Sequence, residues 1–437
     1  MKLTATTLIL SLSCFLFTCQ TRAPSYVDVT AFEAKILIGA DHSLTILDVR
    51  LQSEYNSGHI RNALSIPLGE LEARLDELEQ TNAILVYCRS GGRSATASQI
   101  LVDNSFSQVF NLIGGITSWT AEEYPIYVKY SSIQEAINVA HPGQSIYVGS
   151  GLYEELIEVN KTVSLIGENR ENTIIDGTYV GTVVHVKADM ISISDFKIRN
   201  SGCFCSGYSG IYVESNYQVN ITGNQLVRNE GYGIRIGGMT GLILARNVIR
   251  ENYNGIAIHN SNDVVVSQNS VLNNTYFGIY VSTSENSTVS YNEAAYNEYG
   301  VGISSSNNVT VFHNNFVDNT QNVYYFNSSS VWSNHGEGNY WSNYDGSDID
   351  GDGIGDTNLP WETFDFYPLV NRFWSLADIN HDLEIDIFDV VIVASAYGST
   401  PADPDWNPHS DIAGPYGVID IFDIVTVAAS YGEVFIS

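Results

Sequence analysis

Positive charge is scarce in this chain. Its 437 residues include 19 lysines and arginines against 49 aspartates and glutamates, which gives a formal net charge of −30 at pH 7. Because no basic patch is visible that could neutralise phosphates, we expect no nucleic-acid partner. The acidic residues are dense from Asp345 to Asp356 and again from Asp378 to the end. This distribution favours a soluble surface and cation binding.

Cysteine is scarce as well, with five residues in the chain. Cys14 and Cys19 fall in the N-terminal apolar stretch, so Cys88, Cys203 and Cys205 remain for the body of the protein. An odd number outside the cytosol leaves at least one free thiol. Three roles stay open for Cys203 and Cys205, which are two positions apart: a disulfide, a metal site or two reduced thiols.

Long apolar runs are missing except at the N-terminus, MKLTATTLILSLSCFLFTCQTRAPSY. One lysine, a short apolar run and a polar stretch with a proline are typical of a secretory signal, so we predict a signal peptide over residues 1–22. The run is short for a membrane span. LFTC before Gln20 weakly resembles a lipobox, which makes Cys19 a candidate lipid anchor. We therefore expect an exported protein at the cell surface, in the periplasm or outside the cell.

Predicted strands and helices alternate from residue 23 to 128. LTILDVR, which ends at Arg50, and AILVYC, which ends at Cys88, are aliphatic runs typical of buried strands. LGELEARLDELEQ spaces its leucines as a helix does, and SATASQILVDNSF is also predicted as a helix. This order predicts an α/β layer around a parallel sheet, with functional residues where strands end. Asp48, Arg50 and Cys88 occupy such ends.

The stretch VYCRSGGRSA places a Cys-x-x-x-x-Arg loop, Cys88 to Arg93, between a strand and a helix. Main-chain amides of such a loop converge on one centre, aided by the N-terminus of the following helix. These groups and the nearby Arg89 and Arg93 favour a thiolate over a thiol. Gly91 and Gly92 would supply backbone angles that a Cβ resists.

Several motifs in this region, in order, resemble a single-domain rhodanese over about a hundred residues. They are ILDVRLQSEYNSGHIRNALSIPL, VYCRSGGRSA and NLIGGITSW. The resemblance implies a sulfurtransferase in which Cys88 takes sulfur from a donor, holds it as a persulfide and passes it to a thiol acceptor. Related phosphatases carry one more residue between the cysteine and the arginine, so the shorter loop favours sulfur. No organic cofactor is expected.

The candidate catalytic residues are Cys88, Arg93, Arg89, Arg50 and Asp48, and the candidate substrate-loop backbone comprises Ser90, Gly91, Gly92 and Ser94. Arg50 is expected to draw an anionic substrate and Asp48 to brace that arginine. His59 is expected to be a structural hydrogen-bonding residue. The alternative is a rhodanese fold that has lost catalysis.

Internal repetition dominates residues 129–370. One file of asparagines recurs in steps of 22 or 23 residues, and a second file follows it at an offset of five: Asn224, Asn247, Asn269, Asn292 and Asn314, then Asn229, Asn252, Asn274, Asn297 and Asn319. A period near 22 with short alternating strands predicts a right-handed parallel β-helix. The asparagines would stack at turns, where they tolerate left-handed backbone angles, and Ile234, Ile236, Ile256 and Ile258 would fill the interior.

The opening SSIQEAINVAHPGQSIYVGSGLYEELIEVNKTVSLIGENRENTIIDG and the closing GNYWSNYDGSDIDGDGIGD resemble NosD-like periplasmic β-helices, a carbohydrate-binding and sugar-hydrolysis type. The resemblance implies export and proximity to glycans. Acids do not stack on neighbouring coils beside the second asparagine file, which disfavours a polysaccharide-cleaving site there. Copper would need clusters of histidine or methionine, whereas His185, His259 and His313 are isolated. Five tyrosines are candidate sugar-stacking residues: Tyr212, Tyr253, Tyr276, Tyr280 and Tyr299.

Calcium is the expected structural cofactor, because two acidic stretches have the oxygen-ligand spacing of calcium loops. DIDGDGIGD offers Asp348, Asp350, Asp352 and Asp356, and DINHDLEIDIFD offers Asp378, Asn380, Asp382, Asp386 and Asp389. The second stretch begins a duplicated loop and helix, repeated at Asp411, Asp420 and Asp423 with fewer ligands. The duplication resembles a dockerin, which implies a small α-helical calcium-loop domain over residues 371–437 and a cohesin-like protein partner. A cap for the end of the solenoid is the alternative.

The sequence therefore predicts a multidomain surface protein: a rhodanese-like α/β domain over residues 23–128, a right-handed parallel β-helix over 129–370 and a dockerin-like tail. The favoured function is sulfur transfer by Cys88, joined to a body that binds glycans or partners. Two alternatives are a non-catalytic surface binding or scaffold protein and a polysaccharide-cleaving β-helix enzyme.

Overall fold

The chain folds as two separate units, Met1–Lys129 and Tyr130–Ser437. The computed structural model describes residues 25–40, 43–373, 379, 385, 387–400, 403, 410 and 418–429. The predicted signal peptide and Cys19 lie outside these residues. Within them, no helix is long and apolar enough to cross a membrane.

A five-stranded parallel sheet forms the centre of the first unit. Its strands are β1 (Val27–Val29), β2 (Thr45–Asp48), β3 (Leu64–Ser65), β4 (Ile84–Tyr87) and β5 (Val109–Leu112), in the spatial order β1-β5-β4-β2-β3. The helices are α1 (Ala31–Ala40), α2 (Gln52–Asn56), α3 (Gly92–Asp103) and α4 (Gly115–Ala121). This is the α/β layer that the alternating pattern predicts.

The central strand β4 is buried along its whole length. Successive side chains of a strand point to opposite faces, so Ile84 and Val86 join one apolar cluster while Leu85 and Tyr87 join the other. The two clusters cover the two faces of the sheet. The helix predicted for LGELEARLDELEQ is wrong in type, since the segment forms two short 3₁₀ helices, Leu68–Ala73 and Leu75–Glu77.

The second unit begins with helix α5 (Ile133–Val139), whose first turn is held by a carboxylate. Glu155 accepts hydrogen bonds from the Ser132 hydroxyl at 2.8 Å and from the main-chain N–H of Ile133 at 2.6 Å. A carboxylate is favoured at a helix N-terminus because it satisfies otherwise unpaired N–H groups. Ile133 and Ile137 are buried against the first coils that follow.

Three parallel sheets then wind around one continuous apolar core, as a β-helix. The first sheet comprises Gln144–Val148, Val163–Gly167, Ile191–Ser194, Tyr217–Thr222, Thr240–Ala245, Asn262–Ser267, Thr288–Ser290, Val309–Phe312 and Ser330–Val331. The second comprises Gly151–Glu154, Thr173–Asp176, Lys197–Arg199, Gln225–Val227, Val248–Arg250, Ser270–Leu272, Glu293–Ala295, Asn315–Val317 and Tyr340–Trp341. The third comprises Ile157–Val159, Val184–Val186, Ser209–Val213, Tyr232–Gly237, Asn254–His259, Phe277–Ser282, Tyr299–Ser304 and Gln321–Phe326. The four isoleucines predicted inside are fully buried.

Two ladders of buried asparagines run along two corners of the coils, as predicted. Asn269 is representative: its Oδ1 accepts the main-chain N–H of Asn247 at 3.0 Å, and its Nδ2 donates to the carbonyl of Leu244 at 2.8 Å and to Oδ1 of Asn292 at 2.9 Å. Each side chain therefore connects successive coils, and the buried amides stay fully hydrogen-bonded.

The predicted backbone conformation of these asparagines is wrong. The left-handed residue is the one before each ladder asparagine, as at Arg228, Arg246 and Glu251, and the described ladder asparagines do not themselves have positive φ. Most of the left-handed side chains are exposed. The sharp bend thus falls on a solvent-facing residue, which leaves the next side chain directed inward for hydrogen bonding.

The third corner carries a shorter ladder that the sequence pattern did not bring out. Ser261, Ser284 and Ser306 are buried, and the main-chain N–H of each donates to the hydroxyl of the serine one coil later, at 3.1 Å in every case. The last acceptor is Ser328. Serine steps of 22 or 23 residues were present in the sequence and could have revealed it.

The last coil ends on Asp365, which is fully buried. Its carboxylate accepts the main-chain N–H of Asn339 at 2.9 Å and the indole N–H of Trp341 at 3.0 Å. Beyond it, two helices are described, α6 (Ile387–Ser395) and α7 (Ile421–Ala429), which share a small apolar cluster. These are the two helices of the predicted duplication.

Candidate active site at Cys88

Cys88 follows β4 directly, and Asp48 ends the neighbouring parallel strand β2. Both therefore lie at the carboxyl edge of the sheet, as predicted. Cys88 is the free cysteine of the described chain, and it is only 1% exposed. Its thiol sits beneath the loop that joins β4 to the N-terminus of α3.

The loop turns at Gly91, whose φ of 97° is in the left-handed region that favours glycine. This turn directs the N–H of Gly91 at the thiol, with an N to Sγ distance of 3.2 Å. The sequence also predicts a backbone conformation that favours glycine at Gly92, and this prediction is wrong. That residue begins α3 without a positive φ, and a Cβ added there would meet no atom within 4 Å.

The surroundings of the thiol favour its ionised form. Burial opposes ionisation, but hydrogen bonds from the Ser94 side chain and from the N–H groups of Ser94, Ser90 and Gly91 outweigh it, so the pKa of Cys88 is lowered. Ser94 is fully buried, and the one proton of its hydroxyl has three acceptors within reach: the sulfur of Cys88, Oδ1 of Asn111 at 2.6 Å and the carbonyl oxygen of Gly91 at 3.1 Å. The predicted loop backbone thus surrounds the sulfur.

The two loop arginines occupy different positions. Arg93 makes a bidentate ion pair with Glu54 of α2, at 2.8 Å for both nitrogen–oxygen pairs. This contact lowers the pKa of Glu54 to about 2 and outweighs the opposing effect of burial. Arg89 is exposed, and its carbonyl accepts the hydroxyl of Thr117 at 2.8 Å. Glu54 was not among the predicted site residues, although it restrains one of them.

Arg50 lies in a buried structural pair. Its guanidinium bonds to both carboxylate oxygens of Asp48, the shortest contact being 2.6 Å, and to the carbonyl of Gly58 at 2.7 Å. The predicted contact with Asp48 is therefore present. However, Arg50 is only 5% exposed, so it is placed to fix the strand ends and not to draw a substrate from solvent.

His59 is buried, and its ring stacks on that of Tyr55 at 3.8 Å and hydrogen-bonds to the carbonyl of Tyr55, in agreement with a structural role.

A pair of glycines supports the loop from the side of α4. Gly114 and Gly115 both have positive φ, and a Cβ on Gly115 would collide with the carbonyl oxygen of Cys88. The next residue, Ile116, donates its N–H to that same carbonyl at 2.8 Å. The Gly-Gly-Ile motif therefore permits close approach of α4 to the loop, a role that the sequence did not reveal.

Outside this site, three carboxylates of the predicted acidic loop converge. Ligand atoms of Asp348, Asp350 and Asp356 all lie within 4.8 Å of one another, whereas Asp352 is not part of the group. Among the described residues this is the one group of three or more His, Cys, Asp or Glu side chains that could hold a metal. The described chain therefore offers no histidine or cysteine cluster suited to copper.

The remaining predicted calcium ligands lie in the tail. Asp389 and Asp423 are fully buried, and Asp420 accepts the N–H of Phe422 at 2.7 Å. The other five lie outside the described residues: Asp378, Asn380, Asp382, Asp386 and Asp411. The tail ligand sets thus stay predictions.

Cys203 and Cys205 form a disulfide in a loop between the second and third sheets. Of the three roles that the sequence leaves open for these cysteines, the structure therefore shows the disulfide.

Four of the five candidate tyrosines are half-buried, and Tyr276 is exposed. Several of them pack in a strip along the third sheet, where Tyr276 lies 5.4 Å from Tyr299 and Tyr280 stacks on Phe277 at 4.4 Å.

Two protein families match this chain. The rhodanese-like domain family matches residues 30–122, and the family described as periplasmic copper-binding protein (NosD) matches residues 137–346. The second unit is thus NosD-like, while the copper named in that description does not fit the metal-binding groups of the described residues.

Two bacterial proteins and a solved structure are similar to part of this chain. The thiosulfate sulfurtransferase GlpE of Coxiella burnetii is 34% identical over 96 residues, which are 22% of this chain and 89% of that protein. The putative sulfur carrier protein YrkF of Bacillus subtilis is 38% identical over 96 residues, again 22% of this chain, but the chain spans only 51% of its length. A crystal structure of a rhodanese-related protein from Thermoplasma volcanium is 34% identical, covers 24% of this chain and 100% of its own, and has a TM-score of 0.22. Through its N-terminal unit, the chain belongs to the rhodanese-like family.

Proposed function

We propose that the N-terminal unit is a sulfurtransferase in which Cys88 carries sulfane sulfur. In the first step the thiolate attacks the outer sulfur of a thiosulfate-type donor. A new sulfur–sulfur bond forms as the donor's bond breaks, and sulfite leaves with the electron pair. In the second step an acceptor thiolate, or cyanide, attacks the outer sulfur of the persulfide, and the Cys88 thiolate leaves. The cycle is balanced without an oxidant or an organic cofactor.

One observation carries this proposal: the buried, free thiol of Cys88 accepts the main-chain N–H of Gly91 from its own loop at 3.2 Å. A buried thiol without such donors would have a raised pKa and would be inert. The same N–H groups would also stabilise the charge of a bound thiosulfate. The relatives named as a sulfurtransferase and a putative sulfur carrier support the same chemistry.

The test is the rate of sulfur transfer from thiosulfate to cyanide. Wild-type protein should transfer sulfur, Cys88→Ser should not, and Cys205→Ser should retain the activity because it leaves Cys88 in place. Equal rates for wild type and Cys88→Ser would contradict the proposal and would favour a rhodanese fold without catalysis.

We further propose that the protein is exported and that its β-helix binds glycans. The description of the NosD family as periplasmic supports export. The aromatic strip on the third sheet supports sugar binding, since aromatic rings with polar edges stack on apolar faces of sugars. A glycan array probed with the full chain tests the second statement, which would be wrong if no glycan bound above a bovine serum albumin control.

Calcium is proposed for the acidic loop that ends at Asp356. The three converging carboxylates provide the oxygen ligands that calcium prefers. Terbium luminescence, sensitised by the neighbouring Tyr344, should rise on titration and fall on addition of calcium. Asp348→Asn should reduce the signal, whereas the exposed Asp403→Asn should not; an equal signal in both variants would contradict a site in this loop.

A protein partner is proposed for the tail, of the cohesin-like kind that the dockerin resemblance implies. Its two helices expose matched apolar residues at equivalent positions of the duplication: Ile387 and Ile421, Phe388 and Phe422, Val391 and Val425. Exposed apolar patches commonly mark interaction sites. Loss of cohesin capture in the double variant Phe388→Ser/Phe422→Ser, with capture retained in Asp403→Asn, tests this; wild-type protein that captures no cohesin would contradict it.

A further inference from the structure

Four of the 19 basic residues of this acidic chain gather around one cavity on the second sheet. The cavity has a volume of about 370 Å³ and is lined by Lys197, Arg199, Arg228 and Arg250, with Tyr179, Asn200, Gln225 and Val227. Among the described residues, no carboxylate lines it.

The coiling of the β-helix brings these residues together. Arg199 is in register with Val227 on the next coil, and Val227 with Arg250 on the one after. Adjacent strands of a sheet are about 4.8 Å apart, so charges separated by about 50 residues share one surface. Arg228 extends over the same surface from the turn that follows, and its side chain is 68% exposed.

Acidic residues hold the cations from outside the cavity. Lys197 pairs with Glu171 at 3.0 Å, and Arg199 with the mostly buried Asp176 at 2.7 Å. Glu251 pairs with both remaining arginines, at 2.8 Å for Arg228 and more closely for Arg250. Three carboxylates thus pair with four cations, which leaves an excess of one positive charge around the first cavity and holds the cationic side chains in place. Guanidinium groups fixed in this way suit the bidentate recognition of carboxylates.

A second cavity of about 530 Å³ adjoins the first and shares Tyr179 and Arg228 with it. Its wall includes the carboxylates of Glu230 and Glu251, so the lining without carboxylates is confined to the first cavity. The wall also includes Phe204, which is 37% exposed and stacks on Tyr253 at 4.2 Å. Phe204 lies between the two cysteines of the disulfide, which also line this cavity. The disulfide therefore restrains an exposed aromatic ring beside the cluster of cations.

We propose that the two adjoining cavities bind an acidic oligosaccharide, whose carboxylates are held by the arginines and whose sugar ring stacks on Phe204. The pairing of anion-binding groups with an aromatic platform matches a ligand that has both charge and apolar ring faces. This inference rests on the glycan binding proposed above and names the class of glycan and its site.

The test measures binding of the full-length protein to oligogalacturonate by isothermal titration calorimetry. Arg228→Ala should weaken the affinity about tenfold, the value expected for one charged hydrogen bond. Arg246→Ala is the matched control: it is also exposed and left-handed, with φ of 56° against 55° for Arg228, but it does not line either cavity. Its affinity should stay unchanged. Phe204→Ala should weaken binding about fivefold through lost stacking.

Three further ligands separate the outcomes. A heparin fragment tests whether sulfate replaces carboxylate, and either acidic sugar that loses affinity in Arg228→Ala but not in Arg246→Ala supports the site. Tighter binding of a neutral dextran, unaffected by Arg228→Ala, would overturn this inference while glycan binding itself survived. Equal binding of single-stranded DNA, or equal losses in both arginine variants, would overturn it as non-specific attraction.

Discussion

The immediate neighbours of the Cys88 thiol are hydrogen-bond donors, which favour its ionised form. Cys88 is almost fully buried, a setting that by itself would raise its pKa. The N–H of Gly91 and the donors of Ser94 reverse that effect, since each favours the charged sulfur. The arginines contribute less directly than the sequence predicts: Arg93 is committed to Glu54, and Arg50 to Asp48.

Ser94→Ala should raise the pKa of Cys88, because the variant removes a hydrogen bond to the thiolate. The rate of alkylation by iodoacetamide, followed against pH, should reach its midpoint at higher pH than in the wild type. Thr96→Ala, an exposed hydroxyl in the same helix, is the control and should leave the profile in place. An unshifted profile in Ser94→Ala would mean that the hydroxyl donates to Oδ1 of Asn111 or to the carbonyl of Gly91 and not to the sulfur.

Gly115→Ala should displace the loop of Cys88 from the N-terminus of α4. The added Cβ collides with the carbonyl of Cys88, and the positive φ disfavours alanine, so we expect a loss of about 2 kcal/mol in stability and at least a tenfold loss in sulfur transfer. Gly69→Ala, where a Cβ meets no atom within 4 Å, should be nearly neutral. Urea unfolding and the cyanide assay measure both, and wild-type values for Gly115→Ala would contradict the proposed role of this glycine.

The position of Cys88 at the end of a buried strand could be predicted from the sequence, but the contacts that restrain its neighbours could not. Cys88 and Gly91 are three positions apart in one short motif, so the sequence shows that they are close to each other. Glu54 is 39 positions from Arg93, and only the meeting of α2 with α3 pairs them. For the same reason the sequence could not show that Arg50 is buried, because its partners Asp48 and the carbonyl of Gly58 enclose it only after folding.

At the scale of elements, α2 and α3 are joined at the active site by the pair of Glu54 and Arg93. The folded-state pKa of Glu54, about 2, lies below its ordinary value of 4.5. The ionised carboxylate therefore stabilises the fold above pH 4.5, and this contribution is lost as the pH falls towards 2. The pair is partly exposed, so its effect is modest.

Glu54→Gln should lower the melting temperature of the N-terminal unit at pH 6. The difference in melting temperature between this variant and the wild type should shrink as the pH falls from 4.5 to 2. Glu79→Gln, an exposed acid of the same unit, is the control for removal of one charge. A difference between Glu54→Gln and wild type that stayed constant across this pH range, by calorimetry, would contradict the assignment.

The coils of the β-helix are joined by side-chain amides at their corners. Asn269→Ala should lower the free energy of unfolding by about 2–4 kcal/mol, because several buried partners lose their hydrogen bonds at once. Asn220→Ala, an exposed asparagine of the first sheet, should change it by less than about 0.5 kcal/mol. Equal effects of the two variants in urea unfolding would show that the ladder does not stabilise the coils.

The asparagine ladders could be predicted, since a repeat of 22 or 23 residues places one asparagine of each file on every coil. The cavity lined by Lys197, Arg199, Arg228 and Arg250 could not be predicted. Lys197 and Arg199 precede the insertion that contains the disulfide, so they fall outside the regular spacing that leads to Arg250. The spacing of the asparagines therefore does not show that these basic residues are neighbours, whereas the register of the strands does.

At the scale of the whole molecule, two units with different chemistry share one chain. The first carries the thiol for which sulfur transfer is proposed, and the second carries the extended surfaces on which glycan and partner binding are proposed. The chain has a net charge of −30, and four of its 19 basic residues line one cavity on the second sheet. Sulfur transfer by Cys88 and oligosaccharide binding are separate claims, and each can fail without the other.

The central claim is that Cys88 accepts sulfur, and mass spectrometry of the intact chain after incubation with thiosulfate tests it most directly. The wild-type protein should gain the mass of one sulfur atom, located by peptide mapping to Cys88 and removed by cyanide. Cys88→Ser should gain none, and Ser94→Ala should gain it more slowly at neutral pH. A wild-type protein that acquires no sulfur at Cys88, with thiosulfate in excess, would contradict the account.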